Sequence, residues 1–171
     1  MGFHAHGLIS GTLLVALGLL APSSGLSQDE LARLRENFRN ESNAVRKAKS
    51  LAALGDQQFK LMRKQVEASD YEGAVGLATE YLEWARGAHA ALKAAGKDAE
   101  KSPNGYKQLE IQVRKSIREL DDTIHSVPLD QKAPFEGVRH ALDALDKELI
   151  NALFPRQPGR RPEEKPPGKQ P

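Results

Sequence analysis

The chain has 171 residues, a formal net charge of +2 and no cysteine. The absence of cysteine excludes a disulfide framework, a thiolate zinc site, a cysteine nucleophile and c-type haem attachment. Five basic and two acidic residues lie within residues 155–171, so the preceding part is nearly neutral and nucleic-acid binding is not predicted.

The N-terminal stretch predicts an export signal. All 25 Lys and Arg residues and all 23 Asp and Glu residues lie after Ser27, and residues 8–20 form an apolar run. A run of this length is typical of a signal-peptide core and is shorter than the roughly 20 residues that cross a bilayer as a helix. Small residues at Gly25 and Ser27 predict cleavage before Gln28. We therefore expect a periplasmic or extracellular protein, with an uncleaved N-terminal anchor as the alternative.

The first part of the mature chain has the periodicity of a helix. Apolar residues recur at every seventh position, and the intervening set is apolar or small except at Glu41. Additional leucines widen this stripe beyond a coiled-coil seam, which favours a bundle helix with more than one neighbour. Gly55-Asp56 is predicted to mark a kink or short turn, because Gly often ends helices and Asp often begins them. The seven-residue series is Leu31, Phe38, Val45, Ala52, Phe59 and Val66.

A second helix start is predicted at Ser69-Asp70-Tyr71-Glu72, which has the S-x-x-E spacing of a capping box. In that motif the Ser side chain caps a backbone N–H and the Glu side chain reaches back to the cap. Gly96 is expected to end this helix. Its predicted core face comprises Tyr71, Ala74, Val75, Ala78, Leu82, Ala85, His89 and Leu92.

Two more helices are predicted after it. Ser102-Pro103 can open the first of them, which ends before Pro128. Asp130 can cap the second, which tolerates Pro134 in its first turn and stops at Pro155. Their predicted stripes are Tyr106, Leu109, Val113, Ile117, Leu120, Ile124 and Val127, then Phe135, Val138, Leu142, Leu145, Leu149 and Leu153.

The domain organisation follows from these elements. No segment alternates with period two, so no sheet is expected. Four or five amphipathic helices with short loops can bury their stripes only against one another, which predicts an all-α antiparallel bundle for residues 28–154. Residues 155–171 contain six prolines and no apolar anchor, which predicts a disordered basic tail.

Residues 56–86 resemble a single tetratricopeptide-type helical hairpin. A small residue, Asp-Tyr-Glu and Ala74 join the two helices, and Leu61 and Ala74 occupy matching apolar or small positions. No second 34-residue copy is present, so the resemblance implies hairpin geometry and not a solenoid with a peptide groove. The whole chain is also similar in type to small helical proteins that bacteria export, which implies no function. The departures from the family pattern are Met62, Gln65 and Tyr81.

Three histidines are the candidate ligands. His125 and His140 follow Asp121 and Glu136 by four residues, a spacing at which two side chains on one helix face can share a metal. Diiron bundles use Glu-x-x-His, which does not occur in this chain. His89 falls on an apolar stripe and is predicted to be a core residue. We therefore predict no metal and no cofactor, and keep a metal or small-ligand sensor using His89, His125 and His140 as the alternative.

No motif of an enzyme is present: G-x-S-x-G, H-E-x-x-H and Walker-type loops are absent from the sequence. Basic clusters on the helices alternate with acidic residues, which predicts salt-bridged surfaces. Tyr81 and Trp84 offer two interpretations. They form an exposed aromatic patch for a partner or, as we favour, cover the edge of the core.

The combined pattern predicts an exported, non-enzymatic interaction or structural protein of a bacterial envelope. A protein partner is expected on a helical face, and homo-oligomerisation remains open because the apolar stripes are wide. The tail has two candidate uses, contact with anionic envelope polymers or lipid head groups and docking as a polyproline II strand. A terminus that only aids solubility is the third interpretation.

Overall fold

The computed structural model describes residues 25–155, so residues 1–24 of the predicted leader and residues 156–171 of the predicted tail lie outside it. Five α-helices and one short 3-10 helix account for most of the described part, which contains no strand. The prediction of an all-α bundle is therefore confirmed. The helices are α1 (Gly25–Asn40), α2 (Ala44–Glu67), α3 (Tyr71–Ala94), α4 (Asn104–Ser126) and α5 (Lys132–Leu153), with the 3-10 helix at Leu129–Gln131.

Helix α2 is the centre of the bundle. It packs against α1, α3 and α4, while α5 covers α4 and part of α3. The apolar stripes of all five helices merge into one core, whose largest fully buried side chains include Tyr81, Phe135, Leu51 and Leu120. Each large apolar side chain buried in this way stabilises the fold by about 1.5–3 kcal/mol. The predicted stripes are thus the surfaces that hold the bundle together.

The break between the first two helices lies at residues 41–43 and not at Gly55-Asp56, where the sequence predicted it. Asn43 begins α2, because its side chain accepts hydrogen bonds from the backbone N–H groups of Val45 and Arg46 at 3.1 and 3.0 Å. Glu41 accepts the N–H of Asn43 at 2.7 Å and pairs with Arg46 at 2.8 Å. Glu41, the polar exception in the predicted stripe, therefore marked the position at which α1 ends and α2 is about to begin.

Gly55 instead serves the packing of α2 against α3. Helix α2 runs through Gly55 and Asp56 without interruption. A Cβ atom on Gly55 would lie 2.8 Å from Cε2 of Tyr81, whose side chain is fully buried. Glycine is required at this point for close approach of an aromatic ring and not for a turn.

The α2–α3 connection also differs from its prediction in detail. Ser69 does not cap α3; it has a φ of 61° and occupies the left-handed position that follows α2. The backbone N–H groups of Ser69 and Asp70 bond to the carbonyls of Val66 and Gln65 at 2.9 and 2.8 Å, the pattern of a Schellman motif. Asp70 is the N-cap of α3 and accepts the N–H of Gly73 at 3.0 Å.

We expect Ser69→Gly to stabilise the protein. A side chain in the left-handed region costs roughly 1–2 kcal/mol, of which glycine's greater freedom in the unfolded chain cancels a part. The free energy of unfolding in urea should therefore rise by about 0.5 kcal/mol. Ser69→Ala keeps the Cβ and should give no increase, and an equal rise in both variants would contradict this explanation.

The ends of α3 and α5 match the sequence, whereas the starts of α1 and α5 do not, and α1 begins at Gly25, before the predicted cleavage site at Gln28. Gly96 has a φ of 62° and follows α3 as predicted. Asp130 does not cap α5: it lies in the 3-10 helix, and its carboxylate accepts a hydrogen bond from the Gln131 side chain at 2.9 Å. Gln131 occupies the N-cap position without a side-chain hydrogen bond. The 3-10 turn moves the helix start two residues beyond the predicted cap.

Candidate functional site

A groove on the outer side of α1, α2 and α3 is the most distinctive surface of the bundle. We call it the aromatic groove, and its volume is about 510 Å³. Helix α3 supplies one wall, and the ends of α1 and α2 that flank the break at residues 41–43 supply the other. Its lining residues are Phe38, Arg39, Lys47, Glu80, Glu83, Trp84 and Gly87.

Aromatic rings form the floor of the aromatic groove. The rings of Phe38 and Trp84 meet edge to face with centroids 5.1 Å apart. The guanidinium of Arg39 lies 5.2 Å from the centre of the Trp84 ring, and the ammonium of Lys47 lies 5.3 Å from that of Phe38. Both distances are in the range of cation–π contacts, which contribute about 0.5–1 kcal/mol at exposed sites. The groove therefore already holds cationic side chains against its rings.

Trp84 is half-buried at the edge of the core, whereas Tyr81 is only 1% exposed. Trp84 therefore covers the edge of the core as predicted, whereas Tyr81 lies inside the core, and the two residues do not form one exposed patch. The indole N–H of Trp84 is buried and finds no acceptor among residues 25–155. An unsatisfied donor of this kind costs about 1–3 kcal/mol. It marks the groove as a place where the described fold leaves a polar group unpaired.

A polar network beneath the groove ties α1 to the other two helices. Glu80 on α3 pairs with the guanidinium of Arg35 on α1 and accepts a hydrogen bond from Nε2 of Gln58 on α2 at 2.9 Å. Nε2 of Gln58 also donates to the backbone carbonyl of Leu77 at 2.9 Å. Gln58 is 1% exposed, and sequence reasoning missed it. The signal was its position on the same helical face as Leu51, Leu54 and Met62.

The three candidate histidines do not form a common site. His89 is buried as predicted, with Nδ1 3.7 Å from a carboxylate oxygen of Glu148 and its ring edge-on to Tyr106. His125 and His140 are exposed. In the part of the chain that the structure describes, no three His, Asp, Glu or Cys side chains are placed to share a metal ion.

The two i, i+4 pairs on α4 and α5 also have other contacts. Nδ1 of His125 lies 2.6 Å from the backbone carbonyl of Asp121, and the Asp121 carboxylate pairs with Arg139 at 3.0 Å. Glu136 is exposed, as is His140. The Asp121 side chain is thus engaged by an arginine of the neighbouring helix and not by the histidine on its own helix.

His89 borders two adjoining depressions between α3 and α5, of about 210 and 450 Å³. Both are also lined by Lys93 and Glu148. Burial lowers the pKa of His89 below its ordinary value of 6.5; Glu148 opposes this effect and Lys93 adds to it. The imidazole is therefore held in its neutral form at neutral pH.

This environment predicts a pH dependence of stability. Because the pKa of His89 is lower in the folded than in the unfolded state, the unfolded state binds more protons as pH falls through 6.5. The free energy of unfolding should consequently decrease between pH 7 and pH 5.5, as measured by urea titration. His89→Gln should flatten this segment of the curve, whereas His140→Gln, a change on the exposed face of α5, should preserve it. Equal slopes for the wild type and His89→Gln would contradict the assignment.

Ion pairs link the predicted basic clusters to neighbouring acids, as the sequence indicated. Arg63 pairs with Glu119, Lys115 with Asp56 at 2.5 Å, and Arg114 with Glu110 at 2.5 Å. The first two pairs join α2 to α4. Exposed ion pairs contribute at most about 1 kcal/mol each, so they add little to the stability of the fold.

None of the helices within residues 25–155 has the length and apolar character that crossing a bilayer requires. Comparison of the chain with protein-family models, with curated proteins and with solved structures gives no match. The tetratricopeptide resemblance, which falls on the α2–α3 hairpin, therefore stays a prediction.

Proposed function

We propose that this chain is an exported, non-enzymatic interaction protein of the bacterial envelope that binds a protein partner in the aromatic groove. The observation that carries the proposal is the groove itself, with Trp84 half-buried in its floor and charged side chains of both signs along its walls. The proposal of export is supported by the charge-free, apolar stretch before Gln28.

Protein recognition suits this chemistry better than small-molecule catalysis. Trp and Arg are enriched at the centres of protein interfaces, where a large ring and a planar cation combine apolar contact with directional polar contact. Trp84 and Arg39 already lie together in the groove. Glu83 and Lys47 at its rim give a partner one anchor of each charge. An extended segment or a helix edge of a partner fits such a surface.

Two glycines allow a matched test of this assignment. Gly87 lines the groove, whereas Gly137 lies on α5, away from it. Both are exposed helical residues, and a Cβ atom on either would meet no atom within 4 Å among the described residues. Replacing either one by arginine should raise helix propensity and leave the fold intact. Gly87→Arg alone places a long charged side chain in the groove.

We expect tagged wild-type protein and Gly137→Arg, isolated from crosslinked envelope fractions of the native host, to retain the same partner. Gly87→Arg should lose it. Mass spectrometry of the same material should find a mature N-terminus at Gln28. Partner capture that is identical in both variants would remove the groove from the proposal, and full-length chain retained in the cytosol would overturn export.

A further inference from the structure

We infer that the proline-rich segment 156–171 of this chain docks in the aromatic groove of the same molecule. The inference rests on the proposed binding role of the groove and assigns it an occupant from this chain. It follows from the chemistry of the two surfaces and from the place where α5 ends.

The chemistry of the groove matches a polyproline strand. Grooves lined by aromatic side chains recognise proline-rich segments, because the flat pyrrolidine ring packs on an aromatic face and the polyproline II helix loses little entropy on binding. Residues 155–171 contain six prolines, among them Pro162, Pro166 and Pro167. Trp84 supplies a half-buried ring at the groove floor. The pairing therefore needs no rearrangement of the helices.

One carboxylate of the groove is open to the cations of the segment. Glu83 lines the groove, and its side chain is 63% exposed although it pairs with Arg86. Lys165 and Lys169 lie on either side of Pro166 and Pro167 in the sequence, so one of them can approach this carboxylate when these prolines dock.

The end of α5 lies close enough to the groove for the segment to reach it. Asn151 and Ala152, in the last turn of α5, line the same depression as Lys93 near the end of α3. Trp84 precedes Lys93 by nine residues, which is about 14 Å along the helix axis, and it faces roughly the opposite side of α3 from His89.

A path of about 30 Å along and around a helix some 10 Å wide connects the two places. Ten residues of polyproline II span about 31 Å, and all sixteen residues span about 50 Å. Pro166 and Pro167 are the first consecutive prolines that can reach the groove over this path. The segment is therefore long enough to dock on its own molecule.

Trp84 is the only tryptophan of the chain, so its fluorescence reports directly on the groove. The experiment compares acrylamide quenching of Trp84 in the chain from Gln28 onward with that in a variant in which Pro162, Pro166 and Pro167 are replaced by serine. We expect the quenching constant to rise by about two-fold in the variant, because one face of the indole becomes exposed. Replacing Gln157 and Gln170 by serine is the matched control and should leave quenching unchanged.

The groove side is tested by a double-mutant cycle. In the Gly87→Arg background, the three proline substitutions should produce no further change, since the groove is already blocked. Circular dichroism and urea unfolding confirm that each variant retains the fold. Equal quenching with and without the prolines would overturn the inference.

Two other results would also overturn it. If acrylamide quenching of Trp84 increased when the protein was diluted, the segment would lie in the groove of a second copy. If the segment bound anionic phosphatidylglycerol vesicles and the quenching of Trp84 did not change, the segment would be assigned to a membrane surface. In either case, partner loss in Gly87→Arg with retention in Gly137→Arg would still support the proposed function. The two proposals can therefore fail separately.

Discussion

Gly55→Ala should destabilise the protein by about 1–2 kcal/mol, although alanine is the better helix former by about 1 kcal/mol. The added methyl group would lie 2.8 Å from Cε2 of Tyr81. Tyr81 cannot move aside, because its side chain is 1% exposed and its ring packs edge to face on Phe59 at 5.0 Å. The larger, β-branched side chain of Gly55→Val should cost about 3 kcal/mol through overpacking. Urea unfolding followed by circular dichroism measures both effects.

The matched control is Gly76→Ala on α3. Gly76 is also a helical glycine, but unlike the buried Gly55 it is exposed, and a Cβ atom there would meet nothing within 4 Å in the described part of the chain. This substitution should raise the free energy of unfolding by about 0.5–1 kcal/mol. Tyr81→Leu removes the ring that the added methyl group would meet. In a double-mutant cycle, Gly55→Ala should therefore lower the free energy of unfolding less in the Tyr81→Leu background than in the wild type. If Gly55→Ala were as stabilising as Gly76→Ala, the close approach of α2 and α3 would be refuted.

Glu80→Ala should have the second large effect, a loss of about 2 kcal/mol. The substitution removes one acceptor from two partners, the guanidinium of Arg35 and the buried amide of Gln58. The side chains of Glu80 and Arg35 are 30% and 27% exposed. The loss of stability is therefore smaller than the 3–5 kcal/mol typical of breaking a fully buried pair. Because the pair ties α1 to α3, the contact of Phe38 with Trp84 should loosen, and Trp84 emission should shift to the red.

Glu83→Ala is the matched control for this prediction. Glu83 lies on the same helix and pairs with Arg86 at 2.9 Å, but their side chains are 63% and 52% exposed. Its removal should change the free energy of unfolding by less than about 0.5 kcal/mol. Similar losses for Glu80→Ala and Glu83→Ala would show that the network beneath the groove does not hold α1 in place. The variant in which Arg35 and Glu80 are both replaced by leucine should recover part of the stability lost in Glu80→Ala.

The positions of the helix boundaries show where sequence patterns were sufficient and where they were not. Gly96 and Pro155 were correctly assigned as ends, because the left-handed conformation and the missing N–H are properties of those residues alone. Ser69 and Asp70 were assigned the wrong roles, since either side chain can cap a helix and only the path of the chain decides between them. Gly55 was misread for a related reason: glycine suits a turn and a close contact equally well.

The candidate site depended even more on the tertiary structure. From the sequence, Trp84 was considered as a partner contact but assigned to the edge of the core, and its neighbours Phe38, Arg39 and Lys47 come from two other helices. Their convergence could not be predicted, because the packing order of amphipathic helices is not encoded in the periodicity of any one helix. The burial of Gln58 could not be predicted either, because its side-chain amide donates hydrogen bonds to acceptors on α3, the Glu80 carboxylate and the Leu77 carbonyl.

By itself, the sequence determined three features of the chain. It forms amphipathic helices, the apolar stripe of each helix identifies the residues that face the core, and Gly96 and Pro155 mark the ends of α3 and α5. These features follow from local backbone preferences and from the 3.6-residue period, which act on neighbouring residues. The tertiary structure alone decided that α1 closes over α2 and α3, that Gly55 receives the Tyr81 ring, and that the aromatic groove lies between them. The reason is that these contacts join residues far apart in the chain, and their free energies depend on which stripes meet in space.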